Sequence, residues 1–349
     1  MAVNSNRRTL PGLLRGSRLA GCAALATLLT GASVMPSSQG PQSAATRSPY
    51  QNGDEVVANL AAGRVAVLVA KDGIAVATAE SAVEPGTLPP VIVPLSSLRV
   101  AVLLGPVEWV SPETNRPPVR LDMDLRRGAT GIGPGDQRYE MPATDVEGIG
   151  LGFLEQLRGV AAQLHANLHL QPRELFTELM LVDYAPHYGP EVWSLRYRVE
   201  QEALRGEFYR TSVHRPEYVQ LYPPDKGQPR TLMETRYPPN DPNEPPILDL
   251  MKTNDSRIAA LRGADPGLSR AADLLDHGES QKIKIADGLE FLRAAFQSVS
   301  PHDARLMIVT ISEQDGVKWV AGESVLAPLA PAEGQKPAGP SLRKKPTSP

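Results

Sequence analysis

β-Branched and smaller apolar positions alternate with period two near the start of the body. Val65, Val67 and Val69 alternate with small residues up to Ala70, and Ile74 to Thr78 returns after Lys71-Asp72-Gly73. This predicts a hairpin with Asp-Gly at its tip. Further strands are expected at 91–95, 99–104, 107–110 and Val119-Arg120-Leu121-Asp122-Met123. Short strands broken by Pro and Gly make 53–125 a β-rich domain, an antiparallel β sandwich or small barrel. A loop is expected over 126–143.

The period then changes. Val146, Ile149, Phe153, Leu157, Val160, Leu164 and Leu168 recur at helical spacing. Thr144-Asp145-Val146-Glu147 is a capping box for that helix, with Thr hydroxyl and Glu carboxylate satisfying free backbone N–H groups. Pro172 suits the first turn of a short second helix through about Glu178. A β meander follows, with strands at 178–184, 191–200, 206–214, 217–222 and 230–237. Helices are expected at 247–262, 267–276 and 286–299, then strands at 305–312 and 317–320. Strands first, then mixed elements, argue an α+β fold with the meander packed on helices over 144–327.

The ends read differently. Residues 1–35 hold a basic stretch to Arg18, a run of small and apolar residues from Leu19 to Met35, and small residues suited to cleavage. That is the layout of a secretory signal peptide, with a single membrane anchor at 19–35 as the alternative if it stays uncleaved. Arg7-Arg8 resembles a twin-arginine signal only in part. The lipobox-like Leu19-Ala20-Gly21-Cys22 has its apolar run on the wrong side. Residues 36–52 read as a linker and 328–349 as a disordered tail. The expectation is export across the inner membrane, to the periplasm or beyond the cell.

Composition narrows the chemistry. The 349 residues carry 36 Lys+Arg and 39 Asp+Glu, a net charge of −3. The leader and tail are basic, which leaves −11 on residues 51–327. An acidic body repels phosphate backbones, so nucleic acid is not expected as a partner. Cys22 is the one cysteine, and cleavage of the leader after it would leave none, which removes disulfides, thiol catalysis and cysteine-ligated zinc together. No cofactor is expected.

Several short patterns fall short of a motif. His165 and His169 sit four apart on one helix face, a metal-ligand spacing, and support an alternative reading as a metal-dependent hydrolase. Ala166, however, stands where a zinc protease needs glutamate. Gly148-Ile149-Gly150-Leu151-Gly152 has Phe153 in place of the last glycine of a dinucleotide loop, and Gly131 to Gly135 lacks the phosphate-loop setting. Asp122 and Asp124 would share one strand face as a divalent-ion pair. Asn240 to Glu244 offers oxygen ligands without calcium-loop spacing. Gly322 to Leu326 misses the closing glycine of a nucleophile elbow.

The aromatic residues carry most information. Seven of nine tyrosines lie between Tyr184 and Tyr237, with Trp193 and Phe208 among them. Parity puts Trp193, Leu195, Tyr197 and Val199 on one strand face, expected under the 145–168 helix. Val192, Ser194, Arg196 and Arg198 take the other. Tyr184, Tyr188, Tyr218 and Tyr222 lie near turns and prolines, beside Arg196, Arg198, Arg210 and Arg215. Exposed rings with arginines suit a protein strand or a glycan. The expected function is a non-catalytic binding or assembly protein of the bacterial envelope, touching membrane only through an uncleaved leader.

Overall fold

A run of Val, Ile and Ala buried on both sides needs a layer above and a layer below, and this chain supplies both. The computed structural model describes residues 51–52, 55–56, 58–80, 87–109, 118–131, 143–164, 171–203, 209–224, 232–239, 245–252, 256–299 and 305–323. They include two large antiparallel sheets and six α-helices in a mixed α+β fold.

The strands are β1 (Gln51–Asn52), β2 (Glu55–Val56), β3 (Ala58–Ala61), β4 (Gly63–Ala70), β5 (Gly73–Glu80), β6 (Val91–Ser96), β7 (Arg99–Trp109) and β8 (Val119–Arg120). Helices α1 (Leu121–Thr130) and α2 (Val146–Leu164) follow. Then come β9 (Leu175–Ala185), β10 (Gly189–Ala203), β11 (Tyr209–Val213), β12 (Glu217–Tyr222) and β13 (Leu232–Tyr237). Helices α3 (Ile247–Lys252), α4 (Ser256–Ala264), α5 (Pro266–Asp276) and α6 (Ile285–Val299) precede the hairpin β14 (Leu306–Ser312) and β15 (Gly316–Ala321).

The first sheet runs β11-β10-β9-β7-β3, with β12 also on β10 and β6 and β8 also on β7. The second runs β13-β4-β5-β14-β15. Each therefore holds two adjacent hairpins with helices between them in sequence. The first is β6-β7, α1, α2, β9-β10. It lies within the second, which opens with β4-β5 and closes with α3 to α6 and β14-β15. Strands of 58–109 pair with strands beyond 174 in both sheets.

Three apolar layers follow from strand alternation. Val65, Val67, Val69, Ile74 and Val76 meet Val100, Val102, Met180 and Val182 between the sheets. On the first sheet's outer face Leu179, Leu181, Trp193, Leu195 and Tyr197 meet α1 and α2. On the second sheet's outer face Ala66, Leu68, Ala75, Ala77 and Ala79 meet α3 to α6. The order is helices, sheet, sheet, helices. Strands covered on both faces bury every residue, so they read as unbroken apolar runs.

Several expectations change here. Residues 121–123 are helix rather than strand, because α1 turns Leu121 and Leu125 into the core at i and i+4. It ends at Gly131 with φ 68°, so the first part of the expected 126–143 loop is helical and 132–142 falls outside the described residues. The helix expected from Pro172 to Glu178 is largely β9, held between two cores. Strands 99–104 and 107–110 are one strand. It passes through Gly105 at φ 108°, where a Cβ would sit 2.7 Å from the Phe176 carbonyl oxygen. The first turn of α2 is capped by Asp145, whose Oδ1 accepts from the Gly148 N–H at 2.7 Å. The helix expected over 247–262 is two, α3 and α4.

Candidate functional site

The 15-residue strand β10 is the longest among the described residues and organises the meander. Its N-terminal half pairs with β12 and its C-terminal half with β11, on the same edge. The chain turns between them at His214-Arg215-Pro216.

The face carrying Trp193, Leu195, Tyr197 and Val199 lies under α2, as parity predicts. Tyr197 is fully buried. Its hydroxyl donates to the Gly150 carbonyl at 3.0 Å, and its ring meets Phe153 edge-on at 5.7 Å. Burial pushes its pKa well above the ordinary tyrosine value. Tyr218 joins this face opposite Leu195, with its hydroxyl 3.5 Å from the Glu147 carbonyl. Burial, then the nearby Glu147 charge, push that hydroxyl up to about 12, while Arg215 pulls the other way. Here one glycine of the Gly148 to Gly152 run, Gly150, finds its explanation. A Cβ on Gly150 would lie 2.7 Å from the Tyr218 hydroxyl and 2.9 Å from Leu195, so the glycine lets helix and sheet close together.

The opposite face looks into the layer between the sheets, and its polar end holds Glu178 of β9. The carboxylate is buried. It accepts from Ser194 Oγ at 2.5 Å, from Thr235 Oγ1 of the other sheet at 2.7 Å, and from Arg196 Nε at 3.5 Å. A buried carboxylate is tolerable only when several donors hold it, and these come from two strands, one in each sheet. Two residues along, Arg198 Nε donates to Glu217 Oε1 at 3.1 Å and Nη1 to the Arg173 carbonyl at 3.1 Å. Glu217 faces Arg196 across β10 and β12.

The eight binding candidates therefore fall into separate groups. Arg196 and Arg198 share the inter-sheet face, and Tyr222 packs at its margin with Tyr184 further along. Burial raises the Tyr222 hydroxyl. Tyr218 lies on the other face, with exposed Arg215 close enough to act on it. Tyr188 is exposed in the β9-β10 turn, and Arg210 is exposed on β11 opposite Glu202.

Of the weaker patterns, Asp122 and Asp124 sit on α1 and face arginines. Arg120 donates to both Asp122 oxygens at 3.0 and 2.7 Å, and Arg127 lies 3.2 Å from Asp124. His165, His169, Asn240 to Glu244 and residues 1–35 lie outside the described residues. No helix among the described residues is long and apolar enough to cross a membrane.

No protein-family model matches this chain, and no curated protein is similar to it. The site rests on its own geometry. That geometry adds Glu178, Ser194, Thr235 and Glu217, which sequence reasoning missed. The signal was Glu178 itself: one acid within Leu175-Phe176-Thr177-Glu178-Leu179-Met180-Leu181-Val182 must be buried and paired if the run is a central strand. A second buried group was missed too. Arg99, Asp183 and Glu191 oppose one another on β7, β9 and β10, under the start of α2.

Proposed function

We propose that this chain is an exported, non-catalytic binding or assembly protein of the bacterial envelope, and that it recognises its partner along the edge formed by β10, β11 and β12. One observation carries the reading. Arg196, Arg198 and Arg215 are each partly open to solvent along this one edge, while the aromatic rings beside them are anchored in the cores. Guanidinium groups beside fixed aromatic surface suit a protein or glycan partner. The buried carboxylates Asp122, Glu178 and Asp183 are each held by an arginine, as a scaffold requires. The leader's three-part layout supplies the export half of the reading.

The test is isolation of the tagged protein from its native cells without chelators. Intact mass then reports leader cleavage, and co-purifying species report the partner. A near-stoichiometric protein or glycan that is lost with Arg198→Glu and Arg215→Glu, both at exposed positions, is the expected result. Partner retention by both variants moves the interface elsewhere. No partner, with one equivalent of bound zinc, overturns the reading and directs assays to His165→Ala and His169→Ala.

A further inference from the structure

Arg196 and Arg198 hold their guanidinium groups from behind. Arg196 is anchored through Nε to Glu178, a carboxylate itself fixed by Ser194 and by Thr235 of the opposite sheet. Its two terminal nitrogens make no hydrogen bond to a described residue, and the side chain is 39% exposed. Arg198 is anchored through Nε to Glu217 and through Nη1 to the Arg173 carbonyl, which leaves Nη2 to bond elsewhere, with the side chain 38% exposed. Anchoring removes much of the side-chain freedom an arginine loses on binding, and it directs the remaining donors.

We propose that this pair is a seat for an extended acidic peptide, with one carboxylate taken by the terminal fork of Arg196 and a second by Arg198. This deepens the binding reading above and rests on it. Spacing selects the ligand. Residues i and i+2 of a strand point to one side about 7 Å apart, and carboxylates at alternate positions of an extended peptide have the same repeat. The terminal fork of Arg196 matches the two oxygens of a planar carboxylate. Glu178 and Glu217 offset the two positive charges, so the seat works through directed donors rather than through a long-range field.

The full-length protein is titrated by calorimetry with three probes. One is a capped peptide with glutamate at every second position, one is a capped peptide of equal composition with its glutamates consecutive, and the third is inorganic phosphate. The alternating peptide should bind about tenfold more tightly than the consecutive one, the worth of one charge-assisted hydrogen bond. Arg196→Lys keeps the charge but loses the fork, and should weaken the alternating peptide by about tenfold. Arg198→Gln should do the same, and Arg270→Gln on exposed α5 should do nothing. Thermal melts of each variant establish that it is folded. Equal affinity for both peptides, binding of phosphate alone, or an Arg196→Lys variant that binds like wild type would each overturn the seat. A cellular partner that survives Arg196→Lys and Arg198→Gln would sink this proposal while leaving the binding reading in place. Absence of both partner and peptide binding would sink the two together.

Discussion

The two helix layers solve one problem with different residues. Each must fasten the start of a helix to the outer face of a sheet. Under α2, Arg99 of β7 donates to the Thr144 carbonyl at 3.1 Å and pairs with Asp183 of β9 at 3.0 Å. Under α3, Arg64 of β4 donates to the Pro245 carbonyl at 2.6 Å and lies 3.6 Å from Glu234 of β13. A buried arginine joined to a carboxylate on the next strand recurs in both. In the second layer Glu234 also accepts from the Ile247 N–H at 2.7 Å, so the acid touches the helix directly. In the first, the arginine reaches the chain ahead of the helix, while Glu191 adds a second buried acid beside Asp183. The first clamp depends on its cation more than the second does.

Removing each cation should expose that difference, and it is the largest effect expected. Arg99→Met leaves Asp183 buried without its cation, with the Tyr184 N–H still donating to it, and should cost about 3–5 kcal/mol. Arg64→Met leaves Glu234 with the Ile247 N–H and with partial solvent access, at 18% side-chain exposure. Its cost should be nearer about 1–3 kcal/mol. Urea unfolding of both variants measures the gap. Equal losses would mean that the clamps are equivalent and that Glu191 adds nothing.

Packing differs between the layers as well. Below α2 the sheet supplies bulk through Trp193, Leu195 and Tyr197. Below α6 the sheet supplies alanines from β4 and β5, and the helix supplies Phe291 and Phe296. Large residues on one side meet small ones on the other, which fills space without strain. Glycine should therefore behave oppositely at two helical positions. A Cβ on buried Gly288 of α6 would run into Leu68 and lie 3.2 Å from Ile283, so Gly288→Val should destabilise by about 1–3 kcal/mol. Gly152 is exposed on α2 with no atom within 4 Å of a Cβ. Gly152→Ala should therefore stabilise by roughly 0.5–1 kcal/mol through lost unfolded-state entropy. Two thermal melts decide it, and shifts of the same sign in both would refute the packing account.

Much of this was legible from local pattern. The bounds of β12 match the expected 217–222, and parity placed the helix-facing side of β10 correctly because Tyr197 and Leu195 are separated by one residue. The failures share a physical cause. Leu175, Phe176, Leu179 and Met180 fit a helical stripe as well as a doubly covered strand, and only the second sheet stacked on β9 decides between them. In the alternation Ile74-Ala75-Val76-Ala77 both faces are covered, and small residues mark the helix side. Stacking of two sheets leaves no periodic trace, so Glu178 could signal a buried acid but not its partner Thr235 on the other sheet. Arg196 and Arg198 were visible as a pair, whereas their separation from Tyr218 onto opposite faces required the register of β10 with β12.

The smallest effect concerns the two clamp acids and pH. Burial raises both Asp183 and Glu234 above the ordinary carboxylate range, against the opposing pull of Arg99 on one and of the Ile247 N–H and Arg64 on the other. A raised folded-state pKa means that the folded protein holds the proton more tightly than the unfolded chain does. The penalty is therefore fully present above the folded value and is relieved as pH falls toward the ordinary carboxylate value of about 4. Wild type should gain on Asp183→Asn, and on Glu234→Gln, as pH is lowered from neutrality into that range. One proton bounds either slope at about 1.4 kcal/mol per pH unit. Urea midpoints taken across the range for wild type and both variants give the two differences. A difference that stays flat, or shrinks toward acid, would show that the arginine and the helix N–H outweigh desolvation at that clamp. Opposite trends at the two clamps would make the difference in their wiring electrostatic as well as geometric.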